Sequence, residues 1–154
     1  RFLISENFDA FVNVGFLDAE YDGFIADLDG ANAEGLVEPT NNDYLTPKYA
    51  PEMTASFGGT YTTELGDGEL QLFAKYSFVD EVYTITDNRD VGKVSSTEKV
   101  DASITFLKDN YKISLFGRNL TDEITTPVRD ISSLMIFGSP SVGTVYGITL
   151  SSDF

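Results

Sequence analysis

Tyr111-Lys112-Ile113-Ser114-Leu115-Phe116-Gly117-Arg118-Asn119-Leu120-Thr121-Asp122-Glu123 decides how this chain is read. Tyr111, Ile113 and Leu115 alternate with Lys112, Ser114 and Phe116, and a period of two is a strand with two different faces. The alternation stops at Gly117, and Asn119 and Asp122 are residue types whose side chains bond nearby backbone and end a strand. After an irregular stretch a second alternation places Tyr146, Ile148, Leu150 and Phe154 against Val145, Gly147, Thr149 and Ser151. The sequence closes on that strand, at an aromatic residue.

The same period recurs towards the N-terminus. Lys108-Asp109-Asn110 is a tight turn, and before it Val100, Ala102, Ile104 and Phe106 oppose Asp101, Ser103, Thr105 and Leu107. Leu70, Leu72, Ala74, Tyr76 and Phe78 oppose Glu69, Gln71, Phe73, Lys75 and Ser77. Leu65-Gly66-Asp67-Gly68 forms a turn whose glycines are free to take positive φ. Met53, Ala55, Phe57, Gly59 and Tyr61 form one face of the preceding strand, opened by Tyr49-Ala50-Pro51-Glu52, where a proline costs no ladder bond. Phe8, Ala10, Val12, Val14 and Phe16 share a face, and Ser5-Glu6-Asn7 is the turn before them. The opposite face of that strand carries Phe11 and Leu17, which a partly filled barrel lumen or a sandwich core would accept equally well. Residues 1–4 are the end of a further strand.

The expected connections sort by length: short at 5–7, 65–68 and 108–110, long at 22–48, 85–96 and 122–142. Short turns on one side and long loops on the other belong to bacterial outer-membrane barrels, whose tilted strands cross a bilayer in about ten residues. Aromatic residues gather near strand ends, as in an interfacial girdle: Phe8, Phe16, Tyr21, Tyr49, Tyr61, Tyr76, Phe78, Tyr83, Phe106, Tyr111 and Phe154. Six strands and a stub would leave two raw edges in lipid, so the fold expected is all-β, an antiparallel transmembrane β-barrel of which residues 1–154 supply a part.

Composition narrows the chemistry. With no histidine and no cysteine, Ser–His–Asp and Cys–His sites and thiolate ligands are excluded, and no enzyme, cofactor or metal site is expected. The formal net charge of −15 disfavours nucleic acid and anionic membrane surfaces. No run is long and apolar enough for a membrane helix, and the sequence opens at Arg1 without a signal segment, as a mature piece or a fragment would.

The phrase Gly117-Arg118-Asn119-Leu120-Thr121-Asp122-Glu123, the long loop after it and a last strand ending in Phe resemble the C-terminal end of a TonB-dependent outer-membrane receptor. Gly15-Phe16-Leu17-Asp18-Ala19-Glu20-Tyr21 before an acidic loop, and Ala50-Pro51-Glu52 before an alternating strand, are similar to the same family. The resemblance implies the C-terminal strands of a 22-stranded barrel, with the plug domain upstream of this sequence. It implies ligand uptake across a bacterial outer membrane, driven through TonB and the inner-membrane motor, which reach the receptor through the N-terminal region. It makes Phe154 an assembly signal read by the barrel-assembly machinery, in contact with outer-membrane lipid, and Asn119, Leu120, Thr121 and Asp122 a structural signature turn. The ligand is left open among iron chelates, cobalamin, oligosaccharides and peptides. A passive porin and a soluble β-sandwich or ligand-binding barrel are the rivals.

Four further features bear on candidate sites. Residues 18–43 hold eight carboxylates and no lysine or arginine, so Asp22, Asp27, Asp29 and Asp43 are candidates for a ligand-facing outer loop, although the spacing matches no calcium loop. Asn119-Leu120-Thr121 fits a glycosylation pattern but reads as the strand-end turn. Residues 138–144 resemble a phosphate loop, without its lysine or a following helix. Lys75, Lys112 and Arg118, on polar faces, could line a ligand path or pair with Glu69 and Asp101 across neighbouring strands, and pairing is the expectation.

Overall fold

The computed structural model describes residues 2–28, 35–126, 128–131 and 135–152. Thirteen strands follow in chain order: β1 (Phe2–Ser5), β2 (Phe8–Phe16), β3 (Ile25–Ala26), β4 (Thr40–Asn41), β5 (Met53–Leu65), β6 (Gly68–Val79), β7 (Val82–Tyr83), β8 (Lys93–Val94), β9 (Thr97–Lys108), β10 (Tyr111–Arg118), β11 (Val128–Ile131), β12 (Ile136–Ser139) and β13 (Val145–Ser152). Seven of them, in the order β1-β2-β5-β6-β9-β10-β13, make one antiparallel meander. Every neighbour in the sheet is thus the next long strand in sequence.

The register turns the alternation of single strands into rows across the sheet. Phe8, Tyr61, Leu72, Ile104, Leu115 and Ile148 stand opposite one another in succession, and Thr63, Leu70, Phe106, Ile113 and Leu150 form the row beside them. On the other side of the first row lies one of small residues, Ala10, Gly59, Ala74, Ala102 and Gly117. Next comes the row Val12, Phe57, Tyr76 and Val100, in which the Phe57 and Tyr76 rings stack at 4.9 Å. A side chain fits poorly within the small row. A Cβ on Gly59, within it, would lie 2.6 Å from the Asp9 carbonyl oxygen. The reverse face carries Thr62, Gln71, Thr105, Ser114 and Thr149 in one row and Asn13, Ser56, Ser77 and Lys99 in another. Hydroxyls and amides there bond across strands, Thr105 Oγ1 to Ser114 Oγ at 2.8 Å and Asn13 Nδ2 to Ser56 Oγ at 3.2 Å.

Among the described residues nothing is stacked on the apolar face. Leu115 is 50 % exposed, Ile148 66 % and Leu150 72 %, and the buried apolar residues are Leu45 and Val94, both outside the sheet. The chain exposes 10690 Å², where a compact monomer of its size would expose about 7,700 Å². A sandwich would have packed a second sheet about 10 Å away on that face.

The three two-residue turns between β1 and β2, β5 and β6, and β9 and β10 lie at one end of the sheet, and three long connections lie at the other. Gly66 at φ 65 and Asp109 at φ 50 supply the positive φ that two of the tight turns need. An ion pair between Lys108 and Asp67 ties these two turns together. The long connections are wider than the sequence suggests: residues 17–52, 80–96 and 119–144. β5 begins at Met53, after Tyr49-Ala50-Pro51-Glu52 rather than with it. Each connection also folds into a small hairpin, β3–β4, β7–β8 and β11–β12. Short strands of this kind carry no periodic signal.

Candidate functional site

The first long connection, with the ends of β2 and β5 and Asp80 from the second, lines a cavity of about 940 Å³ at the long-loop end of the sheet. Its wall holds Asp18 and Glu20 after β2, Asp43 after β4, Glu52 before β5 and Asp80 after β6. Leu17 N–H bonds to the Glu52 carbonyl at 3.0 Å and Asp80 N–H to that of Met53 at 2.9 Å, so the strand ladder itself carries these carboxylates to one rim. Tyr44, 81 % exposed, and the half-buried Thr46 complete the mouth. The resulting negative field, with no lysine or arginine in the lining, attracts cations and repels strongly anionic solutes.

The sequence-predicted loop acids separate here. Asp43 lines the cavity, Asp22 and Asp27 do not, and Asp29 lies outside the described residues, as does Phe154. Asp43 also has a local task. Its Oδ1 accepts from Phe24 N–H at 2.6 Å and its Oδ2 from Asn41 Nδ2 at 2.9 Å, while Asn42 Nδ2 donates to the Ala26 and Thr40 carbonyls at 2.9 and 2.8 Å. These bonds staple β3 to β4. The Phe24 N–H, then Asn41, hold the Asp43 carboxyl below its ordinary 3.8. A depressed folded value means that the carboxylate supports the hairpin above about pH 4 and ceases to do so as pH falls through the folded value. The Phe24 amide should therefore lose hydrogen-exchange protection below the ordinary carboxylate range. In Asp43→Asn that amide should be weakly protected at every pH.

Asn119 is 7 % exposed and sits at φ 52. Its Nδ2 donates to the Glu123 carbonyl at 2.9 Å and the Val142 carbonyl at 3.2 Å, and its Oδ1 accepts from Glu123 N–H at 3.0 Å. Its own N–H donates to Asp101 Oδ1 at 2.9 Å, and Leu120 N–H to the Val100 carbonyl at 2.7 Å. Thr121 Oγ1 donates to the Glu98 carbonyl at 2.8 Å. Thr144 N–H bonds to Asp122 Oδ1 at 2.9 Å and Thr144 Oγ1 to the Asn119 carbonyl at 2.7 Å. Residues 119–122 thus clasp the start of β9, the end of β10 and the entry to β13. A side chain engaged in this way is closed to a glycan.

The expected cross-strand ion pairs do not form. Lys75 stands opposite Asp101 in register, but the Asp101 carboxylate takes the Asn119 N–H instead. Glu69 accepts from Gln71 Nε2 at 2.7 Å, and the Arg118 guanidinium lies 5.3 Å over the Phe116 ring. Among the described residues, the ion pairs of the long connections are Lys93–Glu81 and Arg89–Asp87, each at 2.6 Å. The hydrogen bond to Glu81 raises the Lys93 ammonium pKa above its ordinary value. Tyr49 and Tyr83, read from sequence as girdle residues, meet through a Tyr49 N–H bond to the Tyr83 carbonyl at 3.0 Å and belong to the long connections. Among the described residues no group of three or more acidic side chains could hold a metal ion, and no helix is long and apolar enough to cross a membrane, which says nothing of β-barrels.

No family model matches the sequence. The structure of the ferric yersiniabactin uptake receptor FyuA from Yersinia pestis is similar over 98 % of this chain, with a TM-score of 0.76 and 16 % sequence identity. The chain spans 22 % of that receptor's length. In fold, the chain is an all-β antiparallel meander like the part of that receptor it matches.

Proposed function

We propose that the chain forms part of the wall of a bacterial outer-membrane receptor that imports a small ligand with energy delivered through TonB. The observation that carries this reading is the apolar face, continuous across seven strands and covered by nothing among the described residues. Lipid is the environment that accepts such a face on a sheet whose other face is mostly polar. The open edges of β1 and β13 then pair with further strands, as closure in lipid requires. In this reading residues 1–154 are the C-terminal strands of a 22-stranded barrel, Phe154 is the signal for the barrel-assembly machinery, and the plug and TonB-contacting segment lie upstream. The fold of FyuA supports a receptor rather than an enzyme. FyuA is named for uptake of a ferric chelate; here the acidic rim supports a neutral or cationic ligand over a strongly anionic one.

The orientation follows from the sorted connections: residues 17–52, 80–96 and 119–144 outside, the tight turns in the periplasm. The protein has no cysteine, so a single introduced thiol reports cleanly. On intact cells a membrane-impermeant thiol reagent should label Ser95→Cys and leave Asp67→Cys untouched; labelling at 67 alone would invert the topology. Transport is tested by uptake of a panel of radiolabelled iron chelates of different charge into cells dependent on this protein. Uptake should stop when a protonophore collapses the inner-membrane gradient. Uptake that continues would mark a passive porin.

A further inference from the structure

We propose that the first and second long connections form one body, clamped by Asn88, and that Asn88 is thereby a positioning residue for the acidic cavity. Asn88 sits at φ 50 in the second connection. Its Oδ1 accepts from Thr46 N–H at 2.6 Å and its Nδ2 donates to the Thr46 carbonyl at 3.0 Å. One side-chain amide therefore takes both backbone groups of a residue in the other connection, in the geometry of a β-ladder pair. The same Nδ2 lies 3.4 Å from the Thr86 carbonyl, which ties the clamp to its own loop. Thr46 is a wall residue of the cavity, as are its neighbours Tyr44 and Leu45.

A second link is independent of the first. Tyr49 N–H bonds to the Tyr83 carbonyl at 3.0 Å, with Tyr49 held at φ 56, a conformation that costs a tyrosine free energy and persists only where its surroundings fix it. Among the described residues, each connection also contributes one buried apolar side chain, Leu45 from the first and Val94 from the second. The second connection is braced for this role. Thr84, almost fully buried, uses both N–H (2.8 Å) and Oγ1 (3.0 Å) on the Gly92 carbonyl. The consequence is a coupling. The cavity wall formed by residues 43–46 opens only when the second connection releases it, so anything that displaces residues 83–94 alters the cavity without touching its carboxylates.

The proposal rests on the reading of this cavity as the ligand-facing end of the protein, but its test does not. Amide hydrogen exchange is measured on the detergent-solubilised protein, wild type against Asn88→Gly, which keeps the positive φ and removes only the amide. Exchange at Thr46 and Tyr49 should rise together with that of residues 83–94, by about three- to tenfold, the equivalent of one or two neutral hydrogen bonds. The amides of Thr125 and Ser141, in the third connection, should be unchanged. Asn88→Asp keeps an acceptor for Thr46 N–H and should restore protection at Thr46 in part. A rise confined to 83–94, or none at all, would overturn the clamp. Should the glycine variant also lose protection in β5 and β6, the wild type alone decides: one shared opening requires the Thr46 and Thr84 amides to agree within about threefold, and a gap beyond about tenfold means two independent loops. Exchange of these amides is read whether or not the sheet meets lipid, so failure of the clamp and failure of the membrane assignment remain distinct.

Discussion

Leu115→Arg should destabilise the folded protein by about 2–4 kcal/mol, the cost of an arginine on the lipid face of a barrel near the midplane. Leu115 lies within β10, flanked in its row by Ile104 and Ile148, with half its surface uncovered. A guanidinium there must reach for an interface or draw water into the apolar layer. The neighbouring Thr149→Arg faces the other way, in the row of Thr62, Gln71, Thr105 and Ser114, and should change stability by about 0.5 kcal/mol or less. Denaturant unfolding of both variants in lipid vesicles checks the pair. Equal, small effects would mean that the apolar face looks at water.

Asn119→Ala should cost about 2–4 kcal/mol, the upper range for removing a buried, fully engaged polar side chain. The alanine leaves the Glu123 N–H and the Glu123 and Val142 carbonyls without their partner in a part-buried site, and it takes a left-handed φ that a Cβ disfavours. Asn119→Gly separates these effects: it should recover about 1 kcal/mol, the backbone share, and no more. The damage should be local as well as global. Thr144 and Leu120 amides, which close the clasp on β13 and β9, should exchange faster than those at the centre of β10. Full recovery by glycine would show that backbone conformation alone, and not the side-chain bonds, holds the turn.

The strands were legible because their side chains obey the period of the pleat. Tyr111, Ile113 and Leu115, or Leu70 and Leu72, announce a face before any neighbour is known, and the two-residue turns at Gly66 and Asp109 fix the register between hairpin partners. The long connections were legible in position and not in content. β3 and β4 are two residues each, and what holds them is the Asp43 carboxylate and the Asn42 amide, contacts without periodicity. The Asn88 clamp spans 42 positions in sequence and leaves no pattern. The cavity acids fall between these cases. Of the acidic stretch 18–43, Asp18, Glu20 and Asp43 reach the rim and Asp22 and Asp27 do not, while Glu52 and Asp80 join it because they stand next to strand ends on the same side of the sheet. That signal was available from the strand assignments. The Lys75–Asp101 pair shows the opposite failure: the register is right, but a backbone N–H at the next turn competes for the carboxylate and takes it.

The proposed function places one face of the seven-stranded sheet against lipid acyl chains. The protein contains no tryptophan, so a single one placed at Ile148 and, separately, at Thr149 gives two probes adjacent in sequence and opposite in facing. In vesicles of lipid brominated along the acyl chain, fluorescence of Ile148→Trp should be strongly quenched and that of Thr149→Trp left nearly unchanged. Quenching of neither probe, with Ile148→Trp open to aqueous iodide in a folded protein, would contradict the account.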